Sequence, residues 1–254
     1  MDNPLSANPV LPKPRAREEI HQAVISLIGN LNLAKGSKVL DVPMGPGALS
    51  VILYQNGYQV FGVDIDLEQS ESVQSYVIRK KADLNDSIPF EDEFFDLAVS
   101  LEGIEHLENP FQFIREISRV LRQGGYFILS TPNICNLEER LNYLFRGSFY
   151  RFISPNEFEA KGSGFDHQNL MTWVEIKQIL EWNGLKPLFL EKDKIKWRQI
   201  LFLWPLGLLI WLYGRLQPAT RRKKYCMDDN ESFPVMFGGS SLISVSKKLL
   251  KNEI

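Results

Sequence analysis

Between Arg17 and Asn30 the apolar positions fall at Ile20, Ala23, Val24, Leu27 and Ile28, the three-and-four spacing of a helix with one buried face. A short apolar run follows, Lys38-Val-Leu-Asp-Val42, cut off by Pro43 and by a turn containing Gly45 and Gly47, which reads as a buried strand entering a tight loop. A helix from Ala48 to Asn56, stopped by Gly57, leads to a second strand, Tyr58-Gln-Val-Phe-Gly-Val-Asp64, where β-branched and aromatic residues cluster. A third, weaker strand candidate ends near Lys80-Lys81, and Phe94 to Leu101 forms a further buried strand. Pro110 opens a helix through Leu121, and Gly124-Gly125 stop the chain before a strand from Tyr126 to Thr131.

Regularity lapses after Pro132 and resumes with a helix over Thr172 to Asn183, a strand from Leu185 to Glu191 and a last strand from Ser240 to Lys247. Strand-helix-strand alternation predicts an α/β protein with a doubly wound, mostly parallel sheet. The expected organisation is a loose lead over 1–16, a ligand-binding α/β half over 17–133, a lid insertion over 134–169, and a part over 170–254 that completes the sheet.

Composition narrows the options. The chain has 254 residues, 44% of them hydrophobic, enough to bury the core of one α/β domain with insertions. With 29 basic and 31 acidic side chains it carries a formal charge of −2, so no global field draws in a phosphate backbone, and nucleic acid is not an expected partner. Cys135 and Cys226 fit neither a disulfide framework nor a metal-ligand spacing, and the first residues hold no apolar leader run; a cytoplasmic protein without a metal site is expected.

Ligands of open parallel sheets sit beyond the carboxyl ends of the strands, and here those ends are acidic. Asp41 closes the first strand, Asp64 the second, and Asp83 follows the third. The Gly45-Pro46-Gly47 loop opens a helix and lets a ligand approach its backbone closely, but an acid at the root of the loop repels a pyrophosphate. Asp64 is placed to accept hydrogen bonds from a ribose diol. A ligand with a ribose diol, a cationic group and no phosphate is implied, and S-adenosylmethionine has these features. Asp83 would accept from the adenine amino group, with Ile65 and Leu84 as apolar walls. A nicotinamide dinucleotide fits less well, because Asp41 stands beside the loop and Ser50 stands where the dinucleotide fingerprint takes Gly or Ala.

The run Val39-Leu-Asp-Val-Pro-Met-Gly-Pro-Gly47 resembles the first motif of class I S-adenosylmethionine-dependent methyltransferases, a hydrophobic pair followed by Asp and spaced glycines. Val60-Phe-Gly-Val-Asp64 is similar to their second motif and Ala82-Asp83-Leu84 to their adenine-contacting segment. Phe95 to His106 looks like the fourth strand with its loop, and Leu121 to Asn133 like the helix-turn-strand that follows. The resemblance spans Lys38 to Asn133. It implies a seven-stranded Rossmann-like methyltransferase sheet with an insertion after strand 5, and a cofactor-binding set of Asp41, Pro43, Gly45, Gly47, Asp64, Ile65, Asp83, Leu84 and Glu102. Pro43 stands where the family usually has its first loop glycine, and Met44 replaces a commonly small residue; with Gly45 and Gly47 retained the site is expected to survive, its affinity left open by these departures, and an inactive, ligand-binding relative is the alternative.

Methyl transfer is an in-line displacement, so a hydroxyl acceptor needs a base. Of the three histidines, His21 is expected on the solvated face of the first helix, His106 follows the fourth strand where the acceptor should lie, and His167 belongs to the insertion that covers the pocket. His106 is the expected base and His167 a substrate contact. The insertion interleaves arginines and aromatics, among them Arg140, Tyr143, Arg146, Phe149, Tyr150, Arg151 and Phe152, and suits a sugar or an anionic head group or else a plain packed lid.

The apolar run 200–213 is too short to span a bilayer and is interrupted by Pro205 and Gly207. With tryptophans at 197, 204 and 211 and basic clusters on both flanks, it predicts an element lying in the headgroup region at the inner face of a membrane; a core helix or a dimer contact is the competing reading. Lid and apolar run together are similar to the C-terminal region of bacterial methyltransferases that act beside glycosyltransferases in building surface polysaccharides or glycolipids. That likeness implies a saccharide or lipid-linked hydroxyl as acceptor, with a small-molecule hydroxyl as the further option.

Overall fold

The computed structural model describes residues 11–149 and 167–250. Helix α1 (Glu18–Asn30) carries Glu18 and Glu19 at its positive N-terminal end and buries Ile20, Val24 and Ile28 on one stripe. Seven strands follow as β1 (Lys38–Asp41), β2 (Gln59–Asp64), β3 (Ile78–Lys81), β4 (Phe95–Leu101), β5 (Leu121–Pro132), β6 (Leu185–Lys192) and β7 (Ser241–Lys248), in one sheet of order β3-β2-β1-β4-β5-β7-β6. The pairs from β3 to β5 are parallel, and β7 runs antiparallel between β5 and β6.

The crossover helices are set by local chemistry. In α2 (Ala48–Gln55) the N-cap is Gly47, whose φ of 86° favours a residue without a Cβ. Helix α3 (Pro110–Val120) starts where the Asn109 side chain accepts from Gln112 N at 3.0 Å, with Pro110 just inside the helix. Helix α4 (Leu137–Arg146) is capped by Asn136, and α5 (Trp173–Trp182) by a reciprocal Thr172/Glu175 capping box. The two faces of the sheet carry separate cores, one around Leu40, Phe61, Phe95 and Phe127, the other around Val39, Val60, Leu97 and Ile128. Both edges suit their position: β3 reads Ile-Arg-Lys-Lys, and β6 bears Pro187 beside a bulge.

Two expectations change. Tyr126 to Thr131 is the core of a longer β5, which starts at Leu121 through an irregular register between Phe95 and Leu97 of β4. The 200–213 run is not interrupted: α6 (Trp197–Arg215) passes through Pro205 and Gly207. The Pro205 ring is exposed, and Gly207 is a packing position, since a Cβ there would lie 2.8 Å from the ring of Phe237. Short helices α7 (Ala219–Lys224), α8 (Met227–Asn230) and α9 (Phe233–Phe237) return the chain to β7. Among the described residues no helix is long and apolar enough to cross a membrane. Tyr150, Arg151 and Phe152 of the insertion lie outside the described residues.

Candidate functional site

The strand order turns at β1 and β4, so the loops leaving their carboxyl ends part and a crevice opens between them. A cavity of about 950 Å³ occupies that position. The loop after β1 contributes Asp41, Pro43 and Gly45, that after β2 Asp64 and Ile65, and that after β3 Asp83 and Leu84. Glu102 and His106 follow β4, and His167 enters from the insertion. Gly47 is not in the wall; it turns the backbone into α2 from behind.

The acids differ in how they are held. Asp41 is buried and accepts a 2.6 Å hydrogen bond from Ser50 Oγ, one turn into α2. Burial pushes its carboxyl up to about 7; the nearby charge of Asp64 adds to the shift and Ser50 opposes it. Asp64 ties loop to strand: Gly45 N donates to Oδ2 at 2.8 Å, while Asp66 N and Gln69 Nε2 each donate to Oδ1 at 3.0 Å. Asp83 is exposed and accepts from Asn85 N at 2.9 Å. Glu102 adopts φ of 47° and is held from two strands, by Ser130 Oγ at 3.1 Å and Ser241 Oγ at 3.2 Å.

The two unusual loop residues are accommodated by missing side chains elsewhere. Met44 is buried in the core and packs on Gly62 of β2, where any Cβ would collide with the thioether. Pro43 lies against Gly103, whose Cβ would come 2.8 Å from the ring Cγ.

His106 and His167 meet edge to face with ring centroids 4.8 Å apart. Asn169 holds this junction together, because its backbone N donates to Glu105 O at 3.0 Å and its side-chain amide donates to Leu107 O. Glu105 is fully buried beside the pair, and one ligating atom from each of Glu105, His106 and His167 falls within 4.8 Å of the others, a cluster that a divalent cation would fit.

His21 corrects the sequence reading. It is buried and lines the cavity, and burial holds its pKa below the ordinary imidazole value. The buried side of α1 includes position 21, and Pro14, Arg15, Ala16 and Arg17 line the cavity with it. Arg15 lies over the loop, its Cδ 3.9 Å from where a Gly45 Cβ would be. Sequence reasoning passed over these residues because a Pro- and Lys/Arg-bearing segment has no periodicity to place it. The only available signal was the basic pair Arg15 and Arg17 upstream of an acidic ligand loop.

A family model described as a methyltransferase domain matches residues 40–129. The ubiquinone biosynthesis O-methyltransferase of Pseudomonas syringae pv. tomato is 36% identical over 150 residues, 51% of this chain and 63% of that protein. The protein of the same description from Pseudomonas putida strain GB-1 is 32% identical over 164 residues, 56% of this chain and 69% of that one. Against these curated relatives the chain thus spans about two thirds of their length, and slightly less for the first.

Solved structures share the fold. A SAM-dependent methyltransferase from Archaeoglobus fulgidus superposes with TM-score 0.57 at 18% identity, covering 90% of this chain and 94% of that one. Haemonchus contortus phosphoethanolamine N-methyltransferase 2, in complex with S-adenosyl-L-methionine, superposes with TM-score 0.57 at 16% identity over 92% of this chain and 53% of that one.

A doubly wound sheet with acids at successive strand tips around a switch-point crevice defines a nucleoside-binding α/β protein. The chain belongs to the class I S-adenosylmethionine-dependent methyltransferases. S-adenosylmethionine is the cofactor, and the residues present fit it: the buried Asp41, which pairs with no cation among the described residues, favours one, and Gly45 in the loop has no side chain to bar its approach.

Proposed function

We propose that this chain transfers a methyl group from S-adenosylmethionine to the hydroxyl oxygen of a small molecule. The observation that carries the reading is the meeting of His106 and His167 on the wall of the same cavity that holds Asp41 and Asp64. S-adenosylmethionine supplies an activated methyl carbon; the protein aligns the acceptor and manages its proton. Asp41, Pro43, Gly45, Asp64, Ile65, Asp83, Leu84 and Glu102 form the cofactor wall, with Gly47 setting the loop from behind and Arg15 placed to meet a carboxylate. His106 accepts the hydroxyl proton as the base, and His167 contacts the acceptor.

That the Pseudomonas relatives are O-methyltransferases supports oxygen as the acceptor atom. It favours a small molecule over the saccharide or lipid-linked hydroxyl that the insertion brings to mind, and both remain arms of the test. The same reading places the protein peripherally at the inner face of a membrane, through the 200–213 segment.

The rival reading, a relative that binds cofactor without turnover because of Pro43 and Met44, is disfavoured by their packing against Gly103 and Gly62. A second reading of the histidine site is favoured by its geometry: a divalent cation held by Glu105, His106 and His167 would lower the pKa of an acceptor hydroxyl as a Lewis acid.

The experiment is calorimetric titration with S-adenosylhomocysteine and with NAD, followed by transfer of labelled methyl to small phenols, saccharides and a lipid extract, each with and without chelator. Homocysteine-nucleoside binding with transfer to a hydroxyl is expected. NAD binding alone, or nucleoside binding with no transfer to any fraction, overturns the proposal. Loss of transfer on chelation assigns the proton step to the cation rather than to a bare imidazole.

A further inference from the structure

The apolar face of α6 is turned the wrong way for a helix of a self-sufficient globule. Only Gln199, Gly207 and Gly214 of its residues are buried, with Ile200, Leu203, Leu206 and Ile210 partly covered along the same stripe. The opposite face is bulky and exposed: Trp197 is 70% accessible, Leu201 and Phe202 67%, Leu209 63% and Trp204 55%. A surface helix ordinarily shows the reverse distribution. Leu144 and Phe145 of α4, which packs on α6, are likewise exposed, at 72% and 82%. A contiguous apolar area of this kind on a folded chain marks a contact surface.

Charge identifies the occupant. Between Asp193 and Asp228 every formal charge is positive, in a chain whose net charge is −2. Lys194, Lys196 and Arg198 precede the apolar face, and Arg215 and the α7 cluster of Arg221, Arg222, Lys223 and Lys224 follow it. Some of these are paired, Lys194 with Glu19, Lys196 with Glu138, and Arg222 with Asp228. Arg198, Arg221, Lys223 and Lys224 form no ion pair among the described residues. A second copy of this chain fits poorly, because pairing α6 with α6 in either direction sets positive ends beside positive ends.

We infer that the exposed face of α6, with α7, docks on the anionic surface of a lipid bilayer. Trp197, Trp204 and Trp211 recur every seven residues along the exposed side, a row suited to the headgroup layer. The helix lies in the interface rather than across it; its 19 residues reach about 28 Å but too few of them are uninterruptedly apolar to span. The topology orients the reaction site. In register, Lys192 of β6 faces Leu242 of β7, and Leu242 faces Thr131 of β5, so α6 starts at the carboxyl edge of the sheet that carries the cavity. Gln199 Nε2 donates to Asn136 Oδ1 at 3.0 Å in the loop after β5, and Lys194 pairs with Glu19, two residues from the cavity-lining Arg17. Docking thus holds the acceptor side of the crevice near the membrane, so that an acceptor partitioned in lipid reaches it.

The inference deepens the peripheral placement proposed above and is tested apart from methyl transfer. The full chain is co-sedimented with vesicles of phosphatidylcholine and with vesicles that also carry phosphatidylglycerol, at low and high salt. Binding to the anionic vesicles is expected to be at least about tenfold stronger, at about fivefold per engaged cation, and to weaken with salt. Trp204→Asp/Leu209→Asp should abolish it, and Arg221→Glu/Lys223→Glu should weaken it by about tenfold or more, while both variants keep wild-type affinity for S-adenosylhomocysteine. Wild type that stays in the supernatant with both vesicles, an apolar-face variant that sediments like wild type, or a wild-type dimer that this variant dissolves, each overturns the inference. Intact S-adenosylhomocysteine binding beside failed sedimentation sinks only the docking; absent S-adenosylhomocysteine binding sinks only the reaction.

Discussion

Ser50 Oγ donates to a carboxylate oxygen of Asp41 at 2.6 Å, and among the described residues no other side chain donates to this buried acid at the root of the cofactor loop. The bond offsets part of the burial cost and leaves the carboxyl poised near neutrality.

The first prediction follows from that poise. A carboxyl raised from 3.8 to about 7 favours the protonated folded form, so its contribution to stability is full below pH about 4 and is lost as pH rises through 7. The loss is on the order of 4 kcal/mol for a fully buried group at about 1.4 kcal/mol per pH unit. The difference in Tm between Asp41→Asn and wild type should therefore widen from pH 5 to pH 7.5 in the ligand-free protein. Affinity for the cationic cofactor runs the other way, strengthening by up to about tenfold per pH unit below 7 and levelling above it. A pH-independent Kd in calorimetry would contradict this.

Asp64 serves both the ligand and the loop, through its bond from Gly45 N. Asp64→Ala should weaken S-adenosylhomocysteine by about a hundredfold, since two charge-assisted bonds at about 1.5 kcal/mol each are lost. Asp64→Asn should recover part of it, and calorimetry of the two variants separates loop collapse from loss of the ribose contacts.

His106→Ala should lower kcat by about a hundredfold or more with unchanged cofactor affinity, the range of a lost general base. His167→Ala is expected to act mainly on the KM of the acceptor, because its ring abuts His106 from the insertion side. Steady-state kinetics on an identified acceptor would show whether the two effects divide in this way.

Gly62→Ala should destabilise by about 1–3 kcal/mol, because the new Cβ is driven into the Met44 thioether in a filled core. Met44→Ala should relieve much of that penalty in the double variant. Chemical denaturation of the four-membered cycle measures the coupling.

The strands and crossover helices were legible because burial on both sheet faces leaves continuous apolar runs, as in Val39-Leu40 and Leu97-Ala98-Val99, while amphipathic helices such as α3 keep their own period. The places of Asp41 and Asp64 at strand ends were legible because the apolar runs that precede them mark where each strand stops, and Asp83 was legible just beyond the weaker third strand. His21 was misplaced because the sequence shows no sign that residues 14–17 come to the same cavity wall as its side chain. The 200–213 segment was misread as broken, since propensity weighs Pro205 and Gly207 without seeing that one faces solvent and the other admits Phe237.

The sequence by itself determined the order of strands and helices, the acids at their tips and the cofactor class, because these depend on local periodicity and on spacing within single βα units. Tertiary structure alone decided that His106 meets His167, that burial, opposed by Ser50 and reinforced by Asp64, sets the state of Asp41, and that α6 presents its apolar side outward. Each of those depends on which segments pack together, and the burial and close approach that shift a carboxyl or expose a helix face arise only when distant parts of the chain share one core.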